Sequence, residues 1–216
     1  MAILMGAMIC SVSASAGTVL YTTLGPNNEY DGGSGYFVDG SNFNNQVMAN
    51  PFTLSAGATV GDAVLALGNF AGGNSPVNLY IETDVGGLPG SIIGNLTLTQ
   101  QGTILPFNNG FGGGLVTFTC SGIGCTLGAG NYWLVAQELD PNTEQAWDFA
   151  YQDQANNIAF NDLGSSTGPW NPFFGTEDAF RIDAASGGTT PEPGSLVLLG
   201  TGLLGVAGVV RRRLNL

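Results

Sequence analysis

Along most of this chain, short apolar runs alternate with breaks rich in Gly, Asn, Pro and Ser. Val77–Glu82 shows the pattern best. Val77, Leu79 and Ile81 fall on one side of an extended chain, and Asn78, Tyr80 and Glu82 on the other. A period of two predicts a strand with one buried face. The same reading predicts strands at Gly17–Thr23, Thr59–Leu67, Ile92–Leu98, Leu115–Thr119, Asn131–Gln137, Ala146–Tyr151 and Phe180–Ile182. Met48–Leu54 joins them, but Asn50-Pro51 inside it predicts a sheet edge or a bulge, because proline brings no N–H to a ladder. Asp84–Ser91, with Gly86-Gly87 and Pro89-Gly90, is predicted to be a loop. No long segment keeps a helical period. Thr143–Ala159 comes closest, yet its aromatic residues alternate. About nine or ten short strands at this spacing predict an all-β fold, a β-sandwich with jelly-roll-like connections. Residues 17–186 are the expected ectodomain, and about 170 residues are enough to bury a core without metals or many disulfides.

The two ends of the chain break the pattern. Ala2–Val12 is mostly apolar and runs into Ser13-Ala14-Ser15-Ala16, the small-x-small pattern of a cleavable export signal over residues 1–16. No cation precedes the apolar run, which points to a true start upstream of Met1. At the other end, residues 187–194 read as a linker that contains Pro191-Glu192-Pro193. Residues 195–210 are an uncharged run of 16, and residues 211–216 form a tail led by Arg211-Arg212-Arg213. As a helix the run would span about 24 Å, short of a hydrocarbon core of about 30 Å. Arginine snorkelling and local thinning of the bilayer close such a gap. A short transmembrane helix with its arginines on the cytoplasmic side is expected. Its four glycines suit a span in transit better than a lasting anchor.

Composition narrows the chemistry. The chain has 216 residues, with 35 Gly, 4 Lys plus Arg, 16 Asp plus Glu and no His. Between residues 17 and 190 Arg181 is the one cation against 15 acids, a net charge of −14. Such a surface repels phosphate, so no nucleic-acid partner is expected. Without His or Lys, neither a Ser-His-Asp triad nor a Schiff base can form, and imidazole metal sites are excluded. Carboxylate chemistry and calcium binding stay open. Loss of Cys10 with the export signal leaves Cys120 and Cys125 around Ser121-Gly122-Ile123-Gly124. In an exported chain that pair predicts a small disulfide loop, with free thiols or a metal pair as alternatives.

Each candidate site carries two readings. Glu29, Asp31 and Asp39-Gly40-Ser41-Asn42 offer oxygen ligands for Ca²⁺, or simply form a solvated turn region. No cofactor is expected beyond that weak Ca²⁺ possibility. Asp140, Glu144, Asp148 and Asp153 offer carboxylates for glycoside hydrolysis, or are ordinary surface acids. Trp170, in Gly168-Pro169-Trp170-Asn171-Pro172, with Phe173 near by, offers either an aromatic platform for a sugar ring or a plug over the core. Trp133, in the most apolar strand, is expected in the core.

Two resemblances extend this reading. Phe52-Thr53-Leu54, Thr59–Leu67, Val77–Glu82, Gly87–Ser91 and Leu127–Leu134 together resemble the choice-of-anchor domain family of secreted bacterial proteins, over roughly residues 46–183. That resemblance implies a β-sandwich ectodomain on a variable C-terminal anchor and carries no catalytic residues. Pro191-Glu192-Pro193, the apolar run and Arg211, Arg212 and Arg213 resemble the PEP-CTERM sorting signal, also known as an ice-binding protein C-terminal domain. No threonine-rich array supports an ice-binding face. The signal implies a Gram-negative-type bacterium, processing by an exosortase, passage through the inner membrane, and delivery to the cell envelope or extracellular matrix alongside exopolysaccharide. The resulting expectation is a non-enzymatic structural or adhesive surface protein with a possible polysaccharide partner. The competing expectation is a glycan-acting enzyme that uses two carboxylates.

Overall fold

The chain's alternation becomes a continuous run of antiparallel strands in the computed structural model, which describes residues 18–72, 75–107 and 113–186. The strands in chain order are β1 (Val19–Thr22), β2 (Asp31–Asp39), β3 (Val47–Leu54), β4 (Ala58–Ala71) and β5 (Asn78–Asp84). Then come β6 (Pro89–Ile92), β7 (Thr97–Gln101), β8 (Leu105–Pro106), β9 (Gly114–Ser121) and β10 (Thr126–Leu127). The series closes with β11 (Gly130–Gln137), β12 (Glu144–Phe149), β13 (Ala155–Asn161), β14 (Asn171–Thr176) and β15 (Phe180–Ala184).

All of them join one curled sheet, whose main path runs β1-β15-β4-β9-β7-β5-β11-β3-β13-β14. Long β4 divides it. Its Val60–Leu65 portion pairs with β15, and its Leu67–Ala71 portion pairs with β12, which in turn pairs with β2. The path narrows between β5 and β7 to the pair Leu79↔Leu98. The strand count predicts two separate layers; the pairing makes them one sheet whose two limbs enclose a shared core. Phe52, Leu65, Leu67, Ile81, Phe118, Leu134, Trp147 and Phe180 are all buried in it. Burying a large apolar side chain contributes roughly 1.5–3 kcal/mol, so this cluster is the main source of stability.

The structure changes four local expectations. Met48–Leu54 is not an edge: β3 lies between β11 and β13. Asp84–Ser91 is not a loop but the tip and second strand of the β5–β6 hairpin. Val85 N–H donates to the Leu88 carbonyl at 2.9 Å, and Gly86 and Gly87 have φ of 65° and 81°. A two-residue hairpin turn of this kind has positive φ at both central positions, which glycine adopts without strain. The predicted strand at Ile92–Leu98 is interrupted, with Ile92 ending β6 and Leu98 inside β7. The polar stretch from Asp31 to Asp39 is strand β2, paired with β12 through Glu144↔Asp39 and Trp147↔Tyr36.

The export signal at residues 1–16, and the linker, transmembrane helix and tail at residues 187–216, lie outside the described residues. So do Pro191, Glu192, Pro193, Arg211, Arg212 and Arg213. Among the described residues no helix is long and apolar enough to cross a membrane.

Candidate functional site

A cleft opens where one ladder of β3 stops. On its β11 side, β3 is paired from Met48 to Leu54, with Pro51 opposite Trp133. On its β13 side only Val47, Ala49 and Met48 are paired, with Asn161, Ala159 and Phe160. Continued in that register, Asn50 would meet Ile158 and then Pro51 would meet Asn157. Proline has no N–H to donate there, and the ladder ends. Beyond that point lies an open cleft of about 440 Å³.

Both sides of the sheet contribute to its lining. Pro51, Thr53, Asp84, Gly87, Asn131, Trp133 and Asn157 come from the outer face. Tyr21, Phe52 and Asn156 close the inner side. Several of these groups are held in place. The Trp133 indole N–H donates to Asp84 Oδ1 at 2.8 Å, and Gly87 N–H donates to Asp84 Oδ2 at 3.3 Å. The Thr53 hydroxyl donates to Asn131 Oδ1 at 2.9 Å. Asn156 Nδ2 and the Tyr21 hydroxyl both donate to Glu177 Oε1, at 2.7 and 3.3 Å. Burial and the neighbouring Glu177 raise the Tyr21 phenol far above its ordinary range, so it keeps its proton.

Next to the cleft, the outer face carries a second, smaller apolar cluster. Val47, Ala49, Trp133, Val135 and Ala159 are buried there, with Tyr80, Leu88 and Trp170 packed against them. The chain between β13 and β14 supplies the cover. The Asn161 carboxamide donates to Ser165 O and accepts from the Leu163 and Ser165 N–H groups, while the Gly164 carbonyl accepts from Gln137. Trp170 therefore covers the outer face, whereas Phe173 packs against the inner core, edge-on to Tyr36 and Phe160. The two platform candidates sit on opposite faces and do not form one surface. Trp133 is buried as expected, but in this outer cluster rather than in the main core.

The other predicted residues fall elsewhere. Asp39 is buried, and its carboxylate accepts N–H bonds from Gln46 and Asn44 and one from the Asn44 carboxamide, closing the turn after β2. Those bonds occupy the oxygens that Asp39 would offer to calcium. Among the described residues no three acidic or cysteine side chains gather into a metal-binding group. Asp153 is exposed, Asp140 and Glu144 are half-buried, Asp148 is fully buried, and none of the four lines the cleft beside Pro51. Burial pushes Asp148 up to about 7. Cys120 and Cys125 are joined as a disulfide, with Cα atoms 6.1 Å apart.

Sequence reasoning missed Glu82 and Asp178. Glu82 is fully buried on the outer side of β5, its two oxygens without hydrogen-bond partners among the described residues, and burial pushes it up to about 7. Asp178 lies two residues before β15, in an isolated bridge to Phe149, and its carboxyl is raised well above its ordinary value by burial. Asn50 meets it twice, donating Nδ2 to Oδ2 at 2.7 Å and accepting the Asp178 N–H at 3.0 Å. Both acids owe their state to chain segments distant in sequence, which no local pattern reveals.

These features define an all-β ectodomain with a small polar cleft on its outer face. The particular identification comes from the C-terminus: residues 189–213 match the PEP-CTERM protein-sorting motif. The motif implies an exported protein sorted by an exosortase to the cell envelope or extracellular space. No curated protein and no solved structure matches the chain.

Proposed function

We propose that this chain is a non-enzymatic surface or matrix protein that adheres to extracellular polysaccharide. Its β-rich ectodomain would be of the choice-of-anchor type, and its sorting segment would be removed by an exosortase-type protease. The sorting motif at residues 189–213 carries the reading, because it addresses the chain to the compartment where such polymers lie. The charge pattern supports it. Arg181 is the one cation among the described residues and is already paired with Asp183 at 2.9 Å, which leaves an acidic surface suited to remaining dispersed outside the cell. The cleft supports the non-enzymatic part. It is lined by one carboxylate, Asp84, whereas hydrolysis of a glycosidic bond by the usual route takes two carboxyl groups about 5–9.5 Å apart.

Mass spectrometry of the protein recovered from its native envelope tests the sorting step. A C-terminus cut within residues 189–213 is expected. Recovery of the chain still ending at Leu216 would overturn processing and leave a membrane-anchored protein.

A further inference from the structure

We propose that the cleft beside Pro51 binds an uncharged polysaccharide, one whose recognition rests on hydroxyl groups and ring faces. This inference rests on the adhesive reading above and assigns it a site and a ligand class.

Three properties of the cleft lead there. The first is its size. About 440 Å³ falls in the range of small-molecule sites, roughly 300–1,000 Å³, and fits a short stretch of a polymer rather than a long groove. The second is its lining. Thr53 and Asn131 place hydroxyl and carboxamide groups on one side of the cleft, Asn157 adds a carboxamide from β13, and Asp84 adds a carboxylate. Such groups both donate to and accept from neighbouring sugar hydroxyls. The half-buried Pro51 ring stands beside them as apolar surface for sugar C–H groups, backed by the buried Trp133 indole.

The third property is charge. No cation lines the cleft, and the one among the described residues, Arg181, is held by Asp183 and by Asn28. A uronate, sulfate or phosphate would meet Asp84 with no counter-charge, which costs binding energy and selects against acidic polymers. The site is also preorganised. Asp84 is pinned by Trp133 and Gly87, and Asn131 by Thr53, so binding orders few side chains.

The test uses the full chain purified in detergent, run by affinity electrophoresis through gels containing dextran, galactomannan or alginate. Two variants at exposed positions, Asn157→Trp to fill the cleft and Asn131→Leu to remove a polar rim group, are compared after circular dichroism confirms the β fold. The expected result is retardation by a neutral polymer, none by alginate, and at least a tenfold loss of affinity in both variants. Retardation by a neutral polymer that both variants retain would overturn the site while leaving adhesion in place. Retardation by alginate alone would overturn the ligand class. Migration unchanged in all three gels would overturn the adhesive reading and this inference with it.

Discussion

The two faces of the β5–β11–β3 ladder obey different rules. On the inner face, Leu79, Ile81, Leu134, Phe52 and Leu54 are apolar and buried, as strict alternation demands. On the outer face the same strands change character along their length. Val47, Ala49 and Val135 lie buried in the outer cluster, Trp133 and Glu82 are buried at the middle, and Thr53, Asn131 and Asp84 line the cleft. The inner face is filled by the other limb of the sheet. The outer face is covered where the chain between β13 and β14 and Leu88 of the β5–β6 hairpin fold over it, and the remainder is open to solvent. A sheet that curls over one face thus leaves its accessible polar groups on the other.

The largest expected effect tests that contrast directly. Phe52 is fully buried in the inner core, between the rings of Tyr21, Tyr132 and Phe180. Phe52→Ala should destabilise the protein by about 3–5 kcal/mol, the usual cost of truncating a core aromatic. Trp170 is only partly buried and covers a smaller cluster, so Trp170→Ala should cost about 1–2 kcal/mol. Urea denaturation of the two variants gives the comparison. Equal losses would mean that the outer cluster is a second core and not a cover.

The inner face was legible in the sequence because its signal is local. The alternation in Val77–Glu82 alone assigns Leu79 and Ile81 to the core, and the chain needs no knowledge of its partners to do so. Position within the sheet is different. Asn50-Pro51 correctly marks a missing donor, but whether that weakens an edge or opens a gap inside the sheet depends on Asn157, more than a hundred residues away. The hairpin at Gly86-Gly87 was readable, since two consecutive glycines between strand-forming runs are themselves a turn signal. The buried state of Glu82 was not. By alternation it belongs with the polar side of its strand, and only the segments packed over that side exclude water from it.

Glu82 therefore offers a finer test of how dry the outer face is. Burial raises its carboxyl from 4.5 to about 7, so the folded chain holds a proton that the unfolded chain releases in that interval. The unfolded state gains by ionising, and the contribution of Glu82 to stability falls as pH rises from 4.5 to 7 and then levels off. Asp148, also raised to about 7, tilts stability in the same direction, so a single substitution removes only part of the slope. At pH 8, Glu82→Gln should be more stable than the wild type by about 1 kcal/mol, the low end of what an unsatisfied buried polar group costs. At pH 4.5, where both side chains are neutral, the two proteins should agree within about 0.5 kcal/mol. Urea denaturation at pH 4.5, 6 and 8 measures the difference. A gap that stays constant across the three would show that Glu82 titrates as a solvated acid, and that water reaches this part of the outer face as freely as it reaches the cleft. The contrast between the faces would then reduce to one buried side and one wet side, with the outer cluster no longer a dry boundary to the cleft.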